Sequence, residues 1–266
     1  MFRNRCIREK VIFMVDLVFY GVACFKITTE KGLKVWIDPY ITENKHCPIK
    51  RNDIKEADIV LVSHSAFDHI GENPDGTYDA FEIVNKTGAL LVAPADVTAM
   101  ARRNNVPDNQ IKEAAMFLGE VLYKGIRIKG IESHHTHNIA RTNGGFTLGI
   151  AQGFLLTLEN DVRIYHSGDT CTFLDLKSVG EFYRPNIMML ESGASRPTDM
   201  PVTNPFEVAT VVRWIGPDVF IPIHDPYRVF TEKVIEYVKA ATPYVQVLDM
   251  KPGDAIRYRP YHVEKI

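Results

Sequence analysis

The 266-residue sequence lacks long runs of one charge, a Cys-x-x-Cys pair, a Pro/Ser-rich linker and any low-complexity tract. Each absence excludes something. With 31 Lys and Arg against 33 Asp and Glu, the net charge is −2, and there is no basic stripe of the kind that neutralises nucleic-acid phosphates. The four cysteines, Cys6, Cys24, Cys47 and Cys171, are scattered. That suggests neither a thiolate zinc knuckle nor a disulfide framework, and it fits a reducing cytoplasm. No segment offers the roughly 20 apolar residues of a membrane-spanning helix. Ser65 and Cys171 lack the nucleophile-elbow and Cys-His contexts that activate such groups, so no side-chain nucleophile is evident.

The length suits one domain over residues 1–266, with residues 1–10 as an extra N-terminal segment. Basic "MFRNRCIREK" followed by "VIFMVDLVFYGVAC" has the outline of a signal peptide. Asp16 interrupts the apolar run, however, and the continuation "FKITTEKGLKVWIDPY" predicts a strand, a second strand, a turn at Glu30 to Gly32 and a third strand.

Apolar, β-branched runs recur from "LVFYGVACFKI" to "AIRYRP", and between several of them lie segments with helical spacing: "DAFEIVNKTG", "PADVTAMARRNN", "NPFEVATVVRWIG" and "TEKVIEYVKAAT". The chain is therefore read as mixed α/β, with two similar halves packed as layers.

The polar residues collect where strands end. "LKVWI" runs into Asp38, "DIVLVS" into His64, "IKGIES" into His134, His135 and His137, "VRIYHSG" into Asp169, "NIMML" into Glu191, and "DVFIPI" into His224 and Asp225. Strand ends gathered at one sheet edge can build a single pocket. Taken singly, each residue has a plainer reading: a histidine after a strand is usually a surface or capping residue, Asp38 before Pro39 suits a turn, and Asp169 after Gly168 suits an N-cap. Their combination favours a site.

The segments "WIDPY", "LVSHSAFDHIGE", "YHSGDTCTFLDLKSVGEFY" and "FIPIHD" together resemble, in order and spacing, the metallo-β-lactamase fold superfamily. Within it they look like the branch of metal-dependent hydrolases that includes L-ascorbate-6-phosphate lactonase. The resemblance runs from about Val15 to about Arg259. It implies a four-layer αβ/βα sandwich with two metal positions in a groove at one edge of the paired sheets. It places the family's His-x-His-x-Asp-His loop on His64, Ala66, Asp68 and His69, the next histidine on His135, the bridging aspartate on Asp169 and the last histidine on His224. Asp38 matches an aspartate that orients ligands from beneath the loop without touching metal.

Ala66 stands where the family has a histidine. The implied first position keeps His64, His135 and Asp169; the second keeps Asp68, His69, Asp169 and His224. The pair is thus expected to be unequal, binding one or two ions of Zn²⁺ or Mn²⁺ per chain. Three outcomes stay open for the first position: it works with three ligands and water, it stays empty, or His137, on the same side of an extended strand as His135, substitutes for the missing ligand while His134 points away. Asp68 and His64 are the catalytic candidates, with Asp68 both ligating and holding a metal-bound hydroxide. Val22 stands where many relatives carry a histidine. Glu191 is read mainly as a surface residue, with an extra ligand or base as the alternative. Arg196 and Arg228, on loops after pocket-forming strands, are candidates for gripping a substrate anion.

Three functions compete: a metal-dependent hydrolase of a small ester, lactone or phosphate-bearing metabolite; a degenerate metal fold used as a ligand-binding or sensor protein; and a phosphodiesterase or nuclease, which the charge balance disfavours. The expected partner is a small-molecule substrate, with no nucleic acid and no membrane, and a homo-oligomer is left open.

Overall fold

Period-two alternation dictates the architecture. In the computed structural model, which describes residues 14–114, 119–135, 149–193, 203–260 and 262–266 with the backbone of 140–142 and 145–147, odd and even positions of the same strands enter different cores. The segment 1–10, His137 and Arg196 lie outside the described residues.

The first half supplies β1 (Val15–Gly21), β2 (Cys24–Thr28), β3 (Lys34–Ile37), β4 (Ile59–Leu61), β5 (Leu90–Ala93) and β6 (Ile111–Glu113), with helices α1 (Phe67–Ile70), α2 (Asp79–Thr87) and α3 (Ala95–Arg103). The second supplies β7 (Glu120–Tyr123), β8 (Ile126–Glu132), β9 (Ala140–Thr142), β10 (Gly145–Thr147), β11 (Gln152–Thr157), β12 (Arg163–His166), β13 (Ile187–Glu191), β14 (Val219–Ile223), β15 (Gln246–Val247), β16 (Ala255–Arg259) and β17 (His262–Lys265), with α4 (Leu176–Ser178), α5 (Pro205–Ile215) and α6 (Thr231–Ala241). The four segments with helical spacing are α2, α3, α5 and α6.

Eight strands form one sheet in the order β17-β16-β1-β2-β3-β4-β5-β6, and seven form the other in the order β15-β14-β13-β12-β11-β8-β7. Each is antiparallel on one side and parallel on the other. The change falls at β3 in the first sheet and at β12 in the second. Ile59, Leu61, Ile164, Ile187, Met189 and Ile221 face a core between the sheets. Their neighbours Val60 and Leu91 pack instead on α2 and α3, while Tyr165, Met188 and Phe220 pack on α5 and α6. Three cores separate four layers, so the αβ/βα sandwich follows from strands that are apolar on both faces.

Two glycines shape the edge where the parallel strands end. Gly71 closes α1 in the left-handed conformation at φ 74°, and a Cβ there would lie 2.6 Å from the Pro39 carbonyl oxygen. Gly168 has φ 57°, and a Cβ would lie 2.8 Å from both the Gln152 carbonyl oxygen and Ser63 Cβ. Only glycine lets the chain turn from β12 towards Asp169 while touching the loop after β4.

Candidate metal centre

The parallel strands β3, β4, β12, β13 and β14 all end at this edge, and each delivers a polar side chain. Asp38 follows β3 in the left-handed region, φ 45°, with its carboxylate fully buried. Its Oδ1 accepts the Ser63 N–H at 2.7 Å; its Oδ2 accepts the Ser63 hydroxyl at 2.8 Å and His69 Nδ1–H at 2.8 Å. Burial alone would raise this carboxyl, but His69, with help from His166 and the Ser63 amide, outweighs it and holds Asp38 below its ordinary value.

That network also sets the imidazoles. The Ser63 hydroxyl proton goes to Asp38, so Ser63 Oγ accepts from His64 Nδ1 at 3.0 Å. His69 Nδ1 donates to Asp38. Both rings therefore turn Nε2 inward, the arrangement in which an outer partner fixes the tautomer of a metal-binding histidine.

All the inward nitrogens point at one carboxylate. Asp169 Oδ1 lies 3.0 Å from His69 Nε2, and its Oδ2 lies 3.8 Å from His64 Nε2, 3.6 Å from His135 Nε2 and 3.3 Å from His224 Nε2. Asp68 Oδ2 lies 3.4 Å from His224 Nε2. Ligand atoms of His64, His135 and Asp169 fall within 4.8 Å of one another, and so do those of Asp68, His69 and His224. The structure thus brings together all six residues expected to hold metal, with Asp169 central, and a third group joins Asp169 and His224 to Glu191. Asp169 and His135 stay side by side because their loops are tied: Ser133 Oγ donates to the Asp169 carbonyl at 2.7 Å, and the Cys171 N–H to that of His134 at 3.0 Å.

The charge pattern suits a cation. Burial and the neighbouring His69 push His64 down to about 3, so it is a neutral imidazole at pH 7. Burial opposes charge on His224, but Asp169 and Asp68 outweigh it and lift the imidazole to about 9. His69 is likewise raised against its burial by Asp169 and Asp38. Asp68 and Asp169 are driven well down despite burial, the former chiefly by a hydrogen bond from His224 and the charge of His69, the latter by the charges of His224 and His69. Protons here stand where a divalent ion would serve: His69 Nε2 and Asp169 Oδ1 are buried and 3.0 Å apart, yet neither makes an aligned hydrogen bond. Imidazole nitrogens and carboxylate oxygens converging in this way fit a divalent metal ion.

Four expectations need correction or completion. Glu191 is not on the surface; it is fully buried, because β13 lies between β12 and β14. Burial and the adjacent Asp169 raise its carboxyl well above the ordinary value. Arg228 does not offer a free guanidinium, since Asp249 holds it in a two-pronged pair at 2.8 and 2.7 Å. Asp225, next to His224, faces away and caps α6, accepting the N–H groups of Val229, Phe230 and Thr231. His134 stacks on Phe173, with ring centroids 3.9 Å apart, and meets Glu132 rather than the centre.

Ser63, Ser133 and His166 escaped sequence reasoning. His166 Nε2 donates to the Ala23 carbonyl at 2.9 Å and its Nδ1 accepts from Gly168 N–H at 3.1 Å, so it supports the Gly168 turn. The available signal was position alone, each lying one to three residues from a candidate ligand.

Two cavities adjoin the centre. A cleft of about 280 Å³ has Asp68 in its wall with Val22, Tyr40, His46, Phe67 and Tyr227. Beyond Val22, a mostly apolar pocket of about 190 Å³ reaches His224. Val22 itself holds a left-handed backbone, φ 56°, and its carbonyl accepts the His224 N–H at 2.8 Å.

Two facing sheets with a His/Asp cluster at their strand ends define the metallo-β-lactamase fold. The chain belongs to the beta-lactamase superfamily domain family, whose profile matches residues 16–224. It is 30% identical over 251 residues, 92% of this chain and 98% of the other, to a UPF0173 metal-dependent hydrolase of Methanobrevibacter smithii. It is 31% identical over 248 residues, 90% of this chain and 97% of the other, to one of Koribacter versatilis. Igni18, described as a novel metallo hydrolase from Ignicoccus hospitalis, shares the fold with a TM-score of 0.75 at 22% identity, covering 92% of this chain and 98% of its own. Among the described residues no helix is long and apolar enough to cross a membrane.

Proposed function

We propose that this chain is a metal-dependent hydrolase of a small ester, lactone or phosphate-bearing metabolite. The observation that carries the reading is the convergence of four inward-facing imidazoles and the Asp68 carboxylate around Asp169. His64, His135 and Asp169 would hold one ion, and Asp68, His69, Asp169 and His224 the other. A bound divalent ion supplies hydroxide near neutral pH, by lowering the pKa of its water from about 15.7 towards 7, and polarises a carbonyl or phosphoryl oxygen.

The residues do the rest. Asp68, in the wall of the open cleft, accepts a hydrogen bond from the attacking water and orients it. Asp38 and Ser63 keep the His64 and His69 rings from turning. Tyr40 stays a neutral phenol, raised to about 12 by burial and by Asp68, and with Phe67 and Tyr227 it provides the walls against which the non-reacting part of a substrate packs. With Arg228 committed to Asp249, Lys45 in the cleft wall is a cation placed to meet an anionic group of the substrate. The lactone in particular rests on the resemblance to the ascorbate-phosphate lactonase branch.

Ala66 and Val22, at positions where the superfamily resemblance implies histidines, favour a second reading as a ligand-binding or sensor protein. Metal analysis coupled to a hydrolysis screen over esters, lactones, phosphoesters and phosphodiesters separates the two. Bound metal with turnover is the expected result; protein that neither retains nor takes up a divalent ion at neutral pH would rule the hydrolase out.

A further inference from the structure

Both histidines of the second position are backed by a buried carboxylate. For His69 this is Asp38, 2.8 Å from Nδ1, while Nε2 on the opposite edge faces Asp169. For His224 it is Glu191: Oε1 lies 3.9 Å from Nδ1, while Nε2 faces Asp68 and Asp169. At His64 of the first position, the outer nitrogen meets the Ser63 hydroxyl.

The fold makes Glu191 unusual. Ile187 and Met189 precede it at two-residue steps on the face that forms the core between the sheets, and Ile223, its partner in register on β14, lies on that face too. An acid there replaces an apolar side chain at a cost of burial. Its Oε2 accepts the N–H of Thr170 at 2.6 Å, directly after Asp169. Its Oε1 is buried and makes no hydrogen bond within the described residues. One carboxylate therefore touches the backbone beside the bridging aspartate and aims its other oxygen at the outer edge of the last histidine.

We infer that Glu191 is a positioning residue for the second metal position, orienting His224 through its outer nitrogen and Asp169 through Thr170, so that this position is the tighter of the two. The inference rests on the metal-centre reading and adds to it a residue outside the ligand set. At 3.9 Å the two groups stand beyond hydrogen-bond length and interact as neighbouring ionisable groups. Partners that hold a ligating histidine in this way change metal affinity by about 10- to 100-fold.

The test uses the metal-stripped full chain and Zn²⁺ alone, with affinity measured by competition against a chromophoric chelator. Glu191→Gln keeps the volume and an acceptor for Thr170 but removes the ionisable group; Glu191→Met keeps the volume alone and serves if the first variant folds poorly. Glu191→Gln is expected to weaken the tighter Zn²⁺ site by about 10- to 100-fold without lowering the melting temperature of the metal-free protein, and Glu191→Met, which also leaves the Thr170 N–H without its acceptor, to weaken it at least as much. In a His224→Ala background, where the tighter site is already lost, the same change should alter Zn²⁺ affinity at the remaining position by less than threefold. A lower metal-free melting temperature with unchanged affinity would assign Glu191 a structural role and overturn the inference while leaving the hydrolase reading intact. An undiminished effect in the His224→Ala background would also overturn it. Wild-type protein that binds no Zn²⁺ overturns both.

Discussion

Replacing Asp38 by Asn removes the charge at the base of the site without altering its shape. The Asp38 carboxylate accepts three hydrogen bonds at 2.7–2.8 Å, from the Ser63 amide, the Ser63 hydroxyl and His69 Nδ1. An asparagine keeps one oxygen for the Ser63 amide and turns an NH₂ towards the hydroxyl and the imidazole, placing donor against donor. Both Asp38 and His69 are wholly buried, so the full cost of breaking a buried pair applies, about 3–5 kcal/mol. At about 2–4 °C per kcal/mol for a chain of this size, the metal-free protein should melt roughly 6–20 °C lower. Because the His69 tautomer is released as well, affinity for a divalent ion should fall by about 10- to 100-fold. Thermal unfolding followed by circular dichroism, with chelator competition on the same samples, reads both quantities. A variant within 2 °C of wild type and with equal affinity would refute the ion-pair assignment and the tautomer argument built on it.

His64→Ala is expected to reduce bound metal only weakly, whereas Asp68→Ala and His224→Ala should abolish the tighter site, as measured by elemental analysis after dialysis; equal loss in all three would contradict an unequal pair. Ala66→His should raise metal content towards two ions per chain and increase any hydrolytic rate, and no change in either would show that this position is not what limits the first site. The metal-free protein should lose stability as pH rises from about 6.5 to 9. His224, lifted to about 9 in the folded chain from an unfolded value near 6.5, stabilises fully below the lower value and ceases to do so above the higher one. His69 acts in the same direction, and His64, lowered to about 3 in the folded chain, opposes only weakly at the lower end of the window as its unfolded form finishes losing its proton. Melting temperatures across that range check the sign, and His224→Gln should flatten the slope. Gly168→Ala forces a Cβ to 2.8 Å from backbone and from Ser63 at a positive φ and should cost about 2–4 kcal/mol of stability, measured by denaturant titration, with metal loss because Asp169 is displaced.

Much of the fold and the site could be read from the residues. Runs such as "DIVLVS" and "NIMML" are apolar at both odd and even positions, which identifies strands covered on two faces and so implies layers on either side of each sheet. Polar residues immediately after such runs must lie at a sheet edge, and this is why Asp38, His64, Asp169 and His224 could be gathered into one site before any coordinates.

Other features were not local. Glu191 reads as the exposed end of a strand until β13 is seen between β12 and β14, where neighbours more than twenty residues away in sequence cover it. Arg228 reads as a free cation until Asp249, 21 residues on, is found beside it. Ser63 has no signature, being one hydroxyl among many, and its role depends on Asp38 arriving from the adjacent strand. The sequence by itself determined the strand pattern, the layers and which residue types meet at the edge, because periodicity and burial act over a few neighbouring residues. Only the tertiary structure decided which nitrogen of each imidazole faces inward and which carboxylate stands behind it, because strand order and register, not sequence distance, bring those groups within hydrogen-bonding range.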